Sequence, residues 1–273
     1  MDGIVACETL YPELPSLTPA SAVRYVPQWY HEFPIHAPES DRANGALQER
    51  IDALEDEGVD RILVVYHDSD ALAGLQTESV PLFVYRGRDC IDLQLTGEPD
   101  GPGGERKRGA TYYLTRGWID VAVDSYKVYK AYAGELEDLV AAFEEAQATI
   151  PGMRVSWPES EMIQQAAARS EQMRTEPAAL LRNIIGTYRH LTLIDTGHLK
   201  PFHEQYAEWF REFLSEIVPE DGRRPVEIEV LEGDLSELEQ IITAPASLPE
   251  TVVLEPGEPV PAERGFRTGP QHS

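Results

Sequence analysis

The sequence predicts an α/β fold: a mostly parallel Rossmann-like sheet with flanking helices, and a smaller second α/β half. Three observations predict it. Short apolar runs alternate with helical patterns, as in βαβ units. The strongest of these runs read as buried strands. The alternation then returns, over shorter segments, after residue 190.

In chain order, residues 4–7 read as a first buried strand and 22–26 as a second, weaker one. Leu47, Ile51 and Leu54 have helical spacing, and Gly58 stops that helix. Residues 61–66 form a strong strand, and 81–85 another with Pro81 at its edge. Residues 97–109 are turn-rich and read as a loop. A strand over 111–115 leads closely to Trp118. Leu136, Leu139, Val140 and Phe143 mark an amphipathic helix over 135–148. Residues 160–186 read as helical with a break at Pro177, and Thr175 as a cap. A strand over 191–195, a helix over 202–217, a near-edge strand over 226–230, a helix over 235–242 and a short strand over 251–254 complete the pattern. The expected organisation is a main α/β domain over 1–130, a helical segment over 131–190, a second α/β portion over 191–255 packed on the first, and a disordered tail over 256–273.

Composition narrows the function classes. The chain has 273 residues, 48 acidic against 23 basic, and a formal net charge of −25. Only Lys107, Lys127, Lys130 and Lys200 are lysine. Excess carboxylate with few lysines suits a high-salt cytoplasm, where salt screens repulsion and carboxylates keep the surface hydrated. The acids are spread along the chain rather than gathered in one block, which favours salt adaptation over docking of a basic partner. Such a surface repels phosphate, so no nucleic-acid partner is expected. Two cysteines are too few for a disulfide framework and fit a reducing compartment. The N-terminal residues read as too short and too acidic for a signal peptide, and no apolar run approaches the ~20 residues of a membrane span. A cytoplasmic protein with no membrane partner is expected.

In an open parallel sheet, ligands bind beyond the carboxyl ends of the strands. Cys7, His67, Cys90 and His198 all follow predicted strands. Cys7 and Cys90 form the sharpest pair. Two thiolates and an imidazole can hold zinc or a softer divalent metal and leave one position open. His31 and His67 are candidate third ligands. Against this stands the plain alternative that free cysteines are small, buried and inert. His67 and His198 are also candidate general bases for metal-free chemistry. His198 and His203 flank Pro201, which starts a helix and disfavours a protonated imidazole nearby. Arg86, Arg88 and Arg116 suit a carboxylate or phosphate, or equally pair with acids such as Asp89 and Asp120. No GxGxxG, GxxxxGK[ST], GxSxG or HExxH motif is present.

Ala6-Cys7-Glu8-Thr9-Leu10, His31-Glu32-Phe33-Pro34, Leu47-Gln48-Glu49-Arg50-Ile51-Asp52, Arg88-Asp89-Cys90-Ile91 and Gly109-Ala110-Thr111-Tyr112-Tyr113-Leu114-Thr115-Arg116-Gly117-Trp118 occur in that order. Together they resemble the family catalogued as domain of unknown function 1638, with the last segment the most specific. That resemblance ties Cys7, His31 and Cys90 into one metal site. It also implies a setting of archaea and anaerobic bacteria, and a link to corrinoid-dependent methyl-group metabolism, with a corrinoid as cofactor by family context. The family often carries Tyr-Gly-x-Cys after the third strand, whereas this chain has Tyr66-His67-Asp68-Ser69. If the family's cysteines and histidine bind metal, one soft ligand is lost here, and either His67 or Asp68 replaces it or the site is defunct. Arg88 and Arg116 are expected to orient an anionic small-molecule ligand, with Tyr113 and Trp118 walling its pocket. A homodimer or a protein partner is the further expectation. The alternative is a non-catalytic accessory protein whose cysteines are merely packed.

Overall fold

The computed structural model describes residues 1–30, 40–95, 110–159, 175–217 and 226–262. Its elements, in order, are β1 (Asp2–Cys7), α1 (Leu14–Leu17), β2 (Ala22–Val26), α2 (Ser40–Asp56), β3 (Arg61–Val65), α3 (Ser69–Leu72), β4 (Leu82–Tyr85), β5 (Thr111–Leu114), α4 (Arg116–Val121), α5 (Ser125–Ala133), α6 (Leu136–Thr149), α7 (Pro177–Ile185), β6 (His190–Asp195), α8 (Pro201–Ile217), β7 (Glu227–Glu232), α9 (Ser236–Thr243) and β8 (Thr251–Leu254). The expected loop over 97–109, most of the helical stretch over 160–174, and His31 lie outside the described residues.

The chain forms two compact units. The first holds residues 1–31, 38–93 and 236–273, and the second holds 32–37 and 94–235. In the first unit a five-stranded sheet runs in the order β2-β1-β3-β4-β8. The first four strands are parallel, and β8 adds antiparallel to β4 at the edge. β1 is buried from Gly3 to Cys7 and β3 from Ile62 to Val65. This is why both read as continuous apolar runs rather than as alternations. Helix α2 packs beside them through Ala43, Leu47, Ile51 and Leu54, all fully buried at helical spacing. Gly58, at φ +75°, turns the chain out of α2 in the left-handed region.

The strand order has a consequence for function. From β1 the chain adds β2 on one side and then returns to place β3 on the other. The β1/β3 boundary is therefore the topological switch point, where connections leave in opposite directions and open a crevice at the carboxyl ends.

The second unit is built on a parallel three-stranded sheet, β5-β6-β7. β5 thus pairs with β6 rather than joining the first sheet. Tyr206, Phe210 and Phe213 of α8 pack with Tyr126 of α5, while Phe143 of α6 meets Trp157 and Tyr206 edge-on. β7 is the exposed edge strand that its alternating sequence predicts.

Two local expectations are corrected. The cap of α7 is Glu176 rather than Thr175, and it makes no side-chain cap bond. The stretch from 256 to 262, expected to be disordered, is docked on the first unit. The Gly257 amide donates to the Thr77 carbonyl, Val260 exchanges backbone bonds with Gly74 and Leu75, and Val260 is buried. A proline- and glycine-rich composition hid one apolar anchor, Val260, and the backbone bonds on either side of it.

Candidate thiol site at the switch point

The carboxyl end of β1 delivers Cys7, already 2 % exposed, into the switch-point crevice. Its Sγ lies 3.1 Å from the hydroxyl oxygen of Thr9, itself fully buried. β3 delivers Tyr66 and then His67. The loop after β4 delivers Arg88, Cys90 and Leu93. Together with Leu10 and Val65 these residues line one pocket. Its volume is about 10 Å³, room for a single water-sized body.

Cys7 and Cys90 therefore come together from two strand ends that β3 separates in the sheet. Both thiols line the same pocket. Burial alone pushes the Cys7 thiol up, but hydrogen bonds from Cys90 and Thr9 outweigh it and leave Cys7 below its ordinary value. Burial pushes the neighbouring Tyr66 hydroxyl up, with the charges of Cys7, Asp68 and Cys90 adding to it. Tyr66 stays a protonated phenol beside the thiols.

The loop that carries Cys90 is held by its neighbours. The Asp89 carboxylate accepts from the amides of Ile91 and Asp92, both at 2.9 Å, which pins the turn over Asp92–Gln94. Arg88 pairs with Glu237 of α9 at 2.8 Å, and its backbone amide donates to the Tyr85 hydroxyl at 3.0 Å. Tyr85 in turn donates to Glu237 at 2.9 Å. A Cβ on Gly87 would collide with that hydroxyl and its ring, so glycine is what lets Tyr85 pass so close to this loop. The ring of contacts between Tyr85, Arg88 and Glu237 spans a sequence gap that no local pattern reveals.

Of the other predicted site residues in this unit, His67 is exposed at the pocket. Asp68 has a structural task. Its carboxylate caps α3, accepting from the amides of Asp70 and Ala71. Among the described residues no group of three or more histidine, cysteine or acidic side chains is placed to hold a metal. The third predicted ligand, His31, lies outside the described residues.

The remaining candidates belong to the second unit. Arg116, 8 % exposed, reaches Asp120 one turn along α4 at 3.3 Å. His203 lies 3.2 Å from the other Asp120 oxygen and is fully buried. Its Nδ1 accepts from the Lys200 amide at 2.8 Å, so the neutral ring carries its proton on Nε2 and donates to Asp120. Both ring nitrogens are thus engaged. His198 follows β6, and its pKa is lowered by burial and then by Arg116 and Lys200. Tyr113 and Trp118 are buried in β5 and α4.

A residue that sequence patterns did not single out dominates this unit. Lys127 is fully buried and donates to the carbonyls of Ile119 at 2.8 Å and Ala122 at 2.9 Å, with Ser156 at 3.4 Å. Its ammonium also sits over the rings of Phe143 and Trp157. Burial pulls its pKa down to about 8, against the opposing charges of Asp124 and Asp120. Asp124 accepts from the amides of Tyr126 and Lys127 and from the Tyr206 hydroxyl at 2.7 Å, while burial raises its pKa. The one available signal was rarity: a lysine kept inside a chain that has only four.

The molecule is thus a mixed α/β protein with a thiol pair at the switch point of its larger sheet. It belongs to the family described as protein of unknown function (DUF1638), whose model matches residues 32–242. The match covers Arg88, Cys90, Arg116 and Trp118 and extends through the second unit, while Cys7 precedes it. A comparison with curated proteins gives no match. Among the described residues no helix is long and apolar enough to cross a membrane.

Proposed function

We propose that this protein binds a soft divalent metal ion, zinc or a close relative, between Cys7 and Cys90, with His31 as the third ligand and His67 in reserve. The observation that carries this reading is the convergence of two thiols on a cavity of about 10 Å³ at the β1/β3 switch point. Two cysteines on the lining of one small pocket suit a single soft ion. Three protein ligands would leave a fourth position open, as in catalytic zinc sites. Arg88 at the pocket wall would orient an anionic ligand there, and a thiolate-bound metal suits the handling of methyl groups that the resemblance implies. A reducing, cytoplasmic and salt-rich setting goes with free thiols and a −25 chain.

The test is metal titration of the full chain, purified in high salt and stripped with chelator. One zinc per chain is expected, with binding lost in Cys7→Ser and in Cys90→Ser and weakened in His31→Ala. Wild-type protein that takes up no metal, or serine variants that bind as well as wild type, would sink the reading. The absence of a third converging ligand among the described residues favours a second reading, an accessory protein with packed cysteines. It predicts metal-free protein, slow thiol labelling, and one dominant partner in a pull-down.

A further inference from the structure

We propose that Cys7 and Cys90 form a peroxide-reactive dithiol that closes to an intramolecular disulfide, and that closure expels whatever ion the pair holds. Only the last clause rests on the metal reading above. The two cysteines line one small pocket, and both are free. Each arrives from a different part of the chain, so a bond between them would link the end of β1 to the loop after β4. The two sides differ in freedom. Cys7 ends a strand paired on both sides, with Val26 opposite it in β2 and Ala6 opposite Val65 in β3. Cys90 stands in a loop fastened by side chains, through Asp89, Arg88 and Glu237. The loop is the part that moves when the sulfurs approach to the ~2.05 Å of a disulfide.

The pocket also selects the oxidant. Cys7 is 2 % and Cys90 7 % exposed, and the space beside them holds one water-sized body. Oxidised glutathione must bring a bulky disulfide in line with a nearly covered sulfur, whereas hydrogen peroxide has only two heavy atoms. In the first step the Cys7 thiolate attacks one peroxide oxygen. The O–O bond breaks, hydroxide leaves and takes up a proton as water, and Cys7 becomes a sulfenic acid. In the second step the Cys90 thiolate attacks that sulfur. The S–S bond forms, the S–O bond breaks, and a second water departs. Two thiols lose two electrons and two protons, and one peroxide becomes two waters. The Thr9 hydroxyl, 3.1 Å from the Cys7 Sγ, is placed to donate to that sulfur and makes Cys7 the attacking one.

The experiment treats the reduced, metal-free full chain with equal concentrations of hydrogen peroxide or oxidised glutathione. Intact mass and non-reducing peptide mapping then read the product. Peroxide is expected to remove two hydrogens and join the Cys7 and Cys90 peptides more than about tenfold faster than oxidised glutathione does. In Cys90→Ser a sulfenic acid should accumulate on Cys7 and react with dimedone. Sulfinic acid on either cysteine without a cross-link, or glutathione adducts on them, would overturn the proposal, and the wild-type map decides this even if the variant fails to fold. A parallel arm follows zinc release with a chromophoric chelator, one ion per disulfide. If the reduced chain takes up no zinc yet the cross-link forms, the metal reading fails and the dithiol stands. Zinc uptake without a peroxide cross-link overturns the dithiol and leaves the metal reading standing.

Discussion

The two units solve the same problem, polar groups in an apolar interior, in opposite ways. In the second unit the buried ammonium of Lys127 meets carbonyls at 2.8 and 2.9 Å, and Asp124 meets two amides and a tyrosine. Asp120 is held between Arg116 and His203. Such a network is satisfied, and a satisfied buried charge serves the fold rather than a ligand. At the switch point of the first unit, the thiols of Cys7 and Cys90 border open space and share a wall with exposed His67. Groups with strongly perturbed pKa values occur in both places, so perturbation alone does not separate a site from a scaffold. Room for a ligand does.

The largest test of this contrast is Lys127→Ala. It leaves the buried carbonyls of Ile119 and Ala122 without their donor and opens a cavity, and a loss of about 2–5 kcal/mol in urea unfolding is expected. Metal binding or thiol reactivity in the surviving folded fraction should not change. A loss below about 1 kcal/mol, the worth of an exposed ion pair, would mean that the ammonium is not the closing member of the network, and the contrast would fail.

A second test uses pH. Lys127 has a folded pKa of about 8, below the 10.5 of the free side chain. Between those values the unfolded chain holds more protons than the folded one, so this group makes stability rise with pH. Buried tyrosines with raised pKa act in the opposite direction at higher pH. The clean measure is therefore the stability difference between wild type and Lys127→Met, a nearly isosteric apolar replacement. Through this window the wild type should gain on the variant. A difference that stays flat would mean that Lys127 titrates normally.

The smallest expected effect lies in the first unit. Glu237→Gln removes the charge that pairs Arg88, at a partly exposed position, and should cost only about 0–1 kcal/mol. Its effect should instead appear in the loop, as faster labelling of Cys90 by a small alkylating reagent. Unchanged labelling would show that the Arg88–Glu237 pair does not hold the thiol loop in place.

Much of the first unit was legible in the sequence. Buried parallel strands write themselves as unbroken apolar runs, so β1 and β3 were plain, and Gly58 marked the end of α2. The cysteines stood out because so little else in an acidic chain was unusual. Pairings over long separations were not legible. Nothing local says that β5 joins β6, that Arg88 meets Glu237 rather than Asp89, or that Asp68 caps α3. The buried network was hidden because a lysine and two aspartates on an amphipathic stretch look like a solvated face.

The sequence by itself determined the kinds of element, their order and the chemistry carried at each strand end, because periodicity and residue type are local properties. Only the tertiary structure decided which strand ends share a crevice. Strand order sets the switch point, and strand order follows from how apolar faces are covered across the whole chain. That is why Cys7 and Cys90 became a pair, while Arg116 and Lys127 became part of the interior.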